Sequence, residues 1–157
     1  MKHIYLDASA LVKRYRQESG SEVVNDIIER VVSDNPRRLV VSSLSIIETL
    51  AILNRRRNEA GIPVEVFRSA LRHVIEELRT FSPALLIDDH LLLSSAQYAI
   101  KHNINSADAI HLAVLVVLQA TVVASDDELL CLAADKRLIR AARAEGITVV
   151  DPEDAQS

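Results

Sequence analysis

The stretch "HIYLDASALVKRYRQ", residues 3–17, decides how the chain is read. "HIYL" is a short apolar run that ends at Asp7, and "ASALVKRYRQ" then has the make-up of a short helix. Strand, acid, helix is the first half of a βα unit, and the same alternation continues outward along the chain. Residues 21–32 carry apolar side chains at 23, 24, 27, 28, 31 and 32, a helical stripe. "RLVVSS" (38–43) reads as the next strand, and "SIIETLAILNRRR" (45–57) as a helix ended by Gly61-Ile62-Pro63. Residues 64–78 form an amphipathic helix, "ALLI" (84–87) a short strand, 90–102 a helix, and Ser106 to about Thr121 another. "LLCLA" (129–133) is a strand, "KRLIRAARAEG" (136–146) a helix closed by Gly146, and "ITVV" (147–150) the last strand before Pro152 and a polar tail. Such alternation predicts a parallel sheet with helices on both faces. No internal repeat and no linker interrupts it, so one domain over residues 1–157 is expected.

Composition narrows the class. The chain has 157 residues, 49% of them hydrophobic and 25% charged, enough for one well-filled core. Its single cysteine, Cys131, excludes an intramolecular disulfide and fits a reducing compartment. The opening "MKHIYLDAS" is too short an apolar run for a signal peptide. The longest apolar stretch, residues 112–124, is broken by Gln119 and falls short of the roughly 20 residues that span a bilayer. A cytoplasmic protein with no membrane association is therefore expected. The net charge of −4 disfavours a general nucleic-acid binder. Basic residues nevertheless cluster at 13–16, 37–38, 55–57 and 136–143. Aromatics are only 3%, too few for a base-stacking platform.

Four acids recur at equivalent places. Asp7 follows the first strand and Asp135 follows "LLCLA". Glu48 and Asp108 fall in the first turns of their helices. Strand ends and the helix starts after them share the carboxyl edge of a parallel sheet, where α/β proteins bind ligands. Each acid also has an ordinary structural explanation. Asp is a favoured N-cap, and acids in a first turn suit the helix dipole. Ser45-x-x-Glu48 fits a capping box, and Asn105-x-x-Asp108 resembles one. Four together are harder to explain this way. Carboxylates crowded at one edge repel and raise each other's pKa. A hard cation removes that cost, and an all-oxygen donor set suits Mg²⁺ or Mn²⁺.

The stretches "YLDASALVKRY" (5–15), "SSLSIIETLAIL" (42–53), "SADAIHLAVL" (106–115) and "AADKRLIRAARAEGITVVDPE" (133–153) resemble the PIN-domain family of metal-dependent ribonucleases. Within that family they are similar to the VapC-type toxins of toxin–antitoxin pairs. They arrive in family order, and the resemblance spans nearly the whole chain. It implies a three-layer α/β/α sandwich with a mainly parallel central sheet. It also implies an acidic metal site at Asp7, Glu48, Asp108 and Asp135, with Ser9 as a helper hydroxyl. The implied chemistry is two-metal-type hydrolysis of RNA phosphodiesters, leaving a 5′-phosphate and a 3′-hydroxyl. Asp7 and Asp108 would be the central ligands, with Glu48 and Asp135 binding directly or through water. The implied partners are an RNA substrate, a small antitoxin and a second copy in a homodimer. One departure stands out: Ala133 occupies the place where the family usually has Ser or Thr, two residues before the fourth acid.

Two other readings compete with a ribonuclease. One is a non-catalytic PIN-like binding module, against which the intact four-acid set argues. The other is an Asp-based phosphotransfer domain built on Asp7. A receiver-type domain would want an acidic pair at the first strand, and a dehalogenase-like phosphatase a second Asp where Ser9 stands. His111 lies in an apolar helix and is expected to support structure rather than act as a base. Cys131 has no Cys or His partner at zinc spacing and reads as core. The triplet Arg55–Arg57 reads as a solvated helix end. Asp126 and Asp127 are rivals to Asp135, but they precede their strand and so belong at the opposite edge.

Overall fold

Strand β1 (Lys2–Leu6) leads through Asp7 into α1 (Ala8–Tyr15), and α2 (Ser21–Asp34) follows. A 3-10 turn (Pro36–Arg38) opens β2 (Leu39–Val41), and two helices come next, α3 (Ser43–Glu59) and α4 (Val64–Leu78). The chain continues with β3 (Ser82–Pro83), α5 (Asp89–His102), α6 (Ser106–Ala124), β4 (Glu128–Leu132), α7 (Lys136–Ala144) and β5 (Thr148–Val150). The computed structural model describes residues 1–154, and the end of the polar tail, 155–157, lies outside the described residues. The five strands form one sheet in the order β3-β2-β1-β4-β5, with every pairing parallel.

Alternation along the strands divides the core between the two faces. Ile4, Leu6, Leu39, Val41 and Leu132 pack with Leu11, Val24 and Ile28 under α1 and α2, where Val74 and Leu78 of α4 join them. Tyr5, Val40, Leu129 and Cys131 point the other way, into a core closed by Leu91 of α5, Leu112 and Leu115 of α6, and Leu138 and Ala142 of α7. Burying each such Leu, Ile or Val contributes about 1.5–3 kcal/mol. The result is a three-layer α/β/α sandwich.

Topology fixes where a site can lie. From β1 the chain moves outward to β2 and β3, then crosses to the other side for β4 and β5. The direction of winding reverses between β1 and β4, and a crevice opens at the carboxyl ends of the strands at such a switch point.

Three sequence expectations change. Residues 84–87 are not a strand. The ladder is limited to Ser82–Pro83, and Ala84 N–H gives one further bond to Val41 O at 2.7 Å before the chain leaves the sheet. Pro83 has no N–H to extend an edge strand, and Asp88 already caps α5 through Leu91 N–H at 2.9 Å. Leu86 is left 82% exposed. Second, Ser45 does not cap its helix: Ser42 does, accepting from Ser45 N–H at 2.9 Å. The helix begins earlier than the pattern predicts, so Glu48 sits in the second turn and takes no part in a cap. Third, α6 is 19 residues long with a mean hydropathy of 1.9, enough by length and composition to cross a membrane. In this fold residues 108–115 are enclosed in the core, apart from the half-buried Ile110.

Candidate active site

Asp7 stands where β1 ends. It N-caps α1 by accepting from Ala10 N–H at 3.0 Å, and only 3% of it is exposed. Asp135 stands beyond the end of the neighbouring β4 and N-caps α7, accepting from Arg137 N–H at 2.8 Å. Asp108 lies in the first turn of α6, whose cap is Asn105, accepting from Asp108 N–H at 2.9 Å. The capping explanation thus holds for Asp7 and Asp135, and these carboxylates still face the carboxyl edge. Asp126 and Asp127 lie at the other edge. Glu128 N–H bonds to Met1 O, while Asp127 pairs with the N-terminal ammonium and, at 3.1 Å, with His3.

Ser9 knits the switch point together. Its hydroxyl is shared between the two oxygens of Asp7 at 2.8 and 2.9 Å, and its oxygen accepts from Ala134 N–H at 2.7 Å and Asp135 N–H at 3.1 Å. One side chain on α1 therefore fixes the loop that presents Asp135. The loop is held although Ala133, fully buried, offers no hydroxyl.

Glu48 is held differently. His111, one turn after Asp108 and buried, bonds Glu48 Oε2 through Nε2 at 2.7 Å and Tyr5 Oη through Nδ1 at 2.8 Å. Tyr5 Oη in turn meets Ser42 Oγ at 3.0 Å and Ser45 Oγ at 3.2 Å. The Tyr5 and His111 rings pack edge to face, 6.1 Å between centroids. This chain of buried polar groups runs from β1 through α3 and α6 to Glu48, and it realises the supporting role expected of His111. The sequence offered no sign of the part played by Tyr5, because the groups it joins, Ser42, Ser45 and His111, are 37 to 106 residues away from it.

The electrostatics are only partly relieved. Burial raises the Asp7 carboxyl above its ordinary range, against the charge of His111 and the hydrogen bonds from Ala10 and Ser9. Burial also raises Asp108, and the neighbouring Asp135 and Glu48 push it the same way, while Arg137 and His111 oppose. Asp135 goes down: burial works against it, but hydrogen bonds from the Arg137 side chain and backbone hold it below the usual range. Asp108 Oδ2 is buried and accepts no hydrogen bond, a costly state for a carboxylate oxygen. Arg137 is the residue the sequence reading passed over, grouped only with the basic cluster. Its Nε lies 3.5 Å from Asp108 Oδ2 and a terminal nitrogen 3.2 Å from Asp135 Oδ2. Its place in the sequence, two residues after the fourth acid, was the available signal.

The donor set suits a hard cation: carboxylates of like charge, with one buried oxygen unsatisfied. Among the described residues, no three His, Cys, Asp or Glu side chains converge closely enough to hold an ion as they stand. Glu48 is turned to His111 and Asp135 to Arg137 and its cap.

An all-parallel α/β/α sandwich with buried acids at the switch point of its sheet belongs to the broad class of α/β proteins that bind ligands at the carboxyl edge. More narrowly, the chain belongs to the PIN domain family, whose model matches residues 4–144. Its fold is similar to that of PAE2754 from Pyrobaculum aerophilum, with a TM-score of 0.60 and 19% identity over 98% of this chain and 91% of that one. It is similar to FitAcB from Neisseria gonorrhoeae, at a TM-score of 0.56 and 16% identity over 95% and 97% of the two chains. It is also similar to VapC20 from Mycobacterium tuberculosis, a sarcin-ricin loop cleaving toxin, at a TM-score of 0.57 and 17% identity over 88% and 94%. No curated protein matches the chain significantly.

Proposed function

We propose that this PIN domain, one domain over residues 1–157, is a metal-dependent endoribonuclease and the cytoplasmic toxin of a toxin–antitoxin pair. The observation that carries the reading is Asp108 Oδ2, buried beside Asp135 and Glu48 and accepting no hydrogen bond, with only the charge of Arg137 at 3.5 Å to offset it. Asp7 and Asp108 are the central ligands for Mg²⁺ or Mn²⁺, with Glu48 and Asp135 acting directly or through water. When bound, the cation supplies a Lewis acid that activates water and offsets charge on the phosphodiester, in a two-metal-type hydrolysis of RNA. The protein's own work is positional. Ser9 aligns Asp7 with the Asp135 loop, and the Tyr5–His111 pair sets the direction of Glu48.

The partner reading rests on surfaces. The apolar stripe of α2 goes largely into the core, through Val24, Ile28 and Val31, with Val32 left exposed. That of α4 does not: a groove of about 550 Å³ between α3 and α4 is lined by Leu53, Ile62, Phe67 and Leu71. Arg16, Arg57 and an Arg56 paired with Glu59 at 2.9 Å also line it, leaving it net basic. It suits a segment of a small antitoxin that is apolar with acidic flanks. VapC20, a toxin, shares the fold, which favours the same reading.

Incubating the protein with RNA and Mn²⁺, with and without chelator, tests the function. Cleavage that stops with chelator and leaves 5′-phosphate ends supports it. No cleavage under any condition would favour a non-catalytic binding module instead, a reading that finds its support in the absence of three converging ligands among the described residues.

A further inference from the structure

We infer that Arg137 is a built-in counter-ion of the acidic site, competing with the divalent cation for the same two carboxylates. This deepens the metal-site reading and rests on it. The backbone N–H of Arg137 donates to Asp135 Oδ1 at 2.8 Å, which fixes the residue at the start of α7. Its side chain then folds back so that one terminal nitrogen donates to Asp135 Oδ2 at 3.2 Å, while Nε stands 3.5 Å from Asp108 Oδ2. The guanidinium thus lies between two acids supplied by different helices. At Asp108 it brings charge without a hydrogen bond, since Oδ2 accepts none. An ion in the same position would satisfy that oxygen, and guanidinium and cation cannot share it. The Asp108 side chain is 10% exposed and that of Arg137 is 56% exposed, so the arginine is free to swing out to solvent while the acid stays. His111, which also acts on Asp108, does not offer this exchange, because it is committed to Glu48 and Tyr5.

Two consequences separate this role from a merely structural one. Without metal, the arginine lowers the repulsion between Asp108 and Asp135, so losing it lowers the Tm in chelator. With metal, it is an obstacle, so losing it tightens binding. The experiment is a calorimetric Mg²⁺ titration of the wild type, Arg137→Gln and Arg137→Lys, with melting curves in EDTA alongside. Half-exposed ion pairs are individually weak, so the expected effect is a fall in the Mg²⁺ Kd of about three- to tenfold for Arg137→Gln. Arg137→Lys keeps the charge and should stay near the wild-type Kd. Equal or weaker Mg²⁺ binding by Arg137→Gln overturns this inference and leaves the metal site standing. No Mg²⁺ binding by any of the three proteins overturns the metal-site reading and this inference with it.

Discussion

At the scale of single residues, Asp108 and Tyr5 carry the most consequence. Burial, Asp135 and Glu48 together raise the Asp108 carboxyl, so the folded chain keeps that proton to a higher pH than the unfolded chain does. Stability is therefore lost as pH rises from the ordinary carboxylate value, 3.8, through the raised one, and regained as it falls. Asp108→Asn removes the charge and should raise the Tm in EDTA at pH 7.5 by roughly 2–4 °C, the shift that corresponds to about 1 kcal/mol for a domain of this size. That advantage should shrink steadily toward pH 4.5, which melting curves of both proteins across the range would establish. Tyr5→Phe keeps the ring packed but strips the shared partner from Ser42, Ser45 and His111. A loss of about 1–3 kcal/mol in urea unfolding is expected, together with weaker cleavage as Glu48 loses its support. Asp7 and Asp135 were legible in the sequence because strand-acid-helix junctions mark the carboxyl edge, and Asp108 because it opens the helix that runs into β4. The Tyr5–His111–Glu48 chain was not, since residues 5, 48 and 111 meet only after the sheet and both helix layers have formed.

At the scale of elements, the decisive comparison is the two ends of β4. Asp126 and Asp127 precede it and Asp135 follows it. In a parallel sheet paired Lys2 to Glu128 and Leu6 to Leu132, only the latter shares an edge with Asp7. Asn caps about as well as Asp, so Asp135→Asn should spare the melting temperature and weaken Mn²⁺ binding. Replacing Asp126 and Asp127 together with Asn should leave Mn²⁺ affinity unchanged. A paramagnetic titration of the two variants decides between them. Element boundaries were read within a few residues wherever periodicity was strong, as in α4. The reading failed at residues 84–87, where an apolar run with strand composition serves as a connector: Pro83 ends the ladder and the Asp88 cap begins α5. Short apolar runs do not distinguish an edge strand from a packed loop. The missed cap at Ser42 has a similar origin, because Ser42, Ser43 and Ser45 are all competent caps and only the end of β2 chooses among them.

At the scale of the whole molecule, the fold puts its acids on one edge and its unused apolar surface elsewhere. Ile47, Leu86, Leu93 and Ile100 are exposed on or beside α3 and α5, and the α3–α4 groove is open. An open apolar groove of this kind suits an interaction surface. A homodimer is expected, and light scattering that gives a monomer mass at every concentration would remove that expectation. A small antitoxin encoded beside the gene is expected to co-purify with the protein. The central claim remains that acids gathered at the β1/β4 switch point cleave RNA with a bound cation. The most direct measurement is the cleavage rate of one RNA with Mn²⁺ present, compared between the wild type and Asp108→Asn, with both proteins shown to be folded. The account predicts metal-dependent cleavage by the wild type and a loss of at least about a hundredfold, some 2.7 kcal/mol of transition-state stabilisation, in the variant. Undiminished cleavage by Asp108→Asn would contradict it.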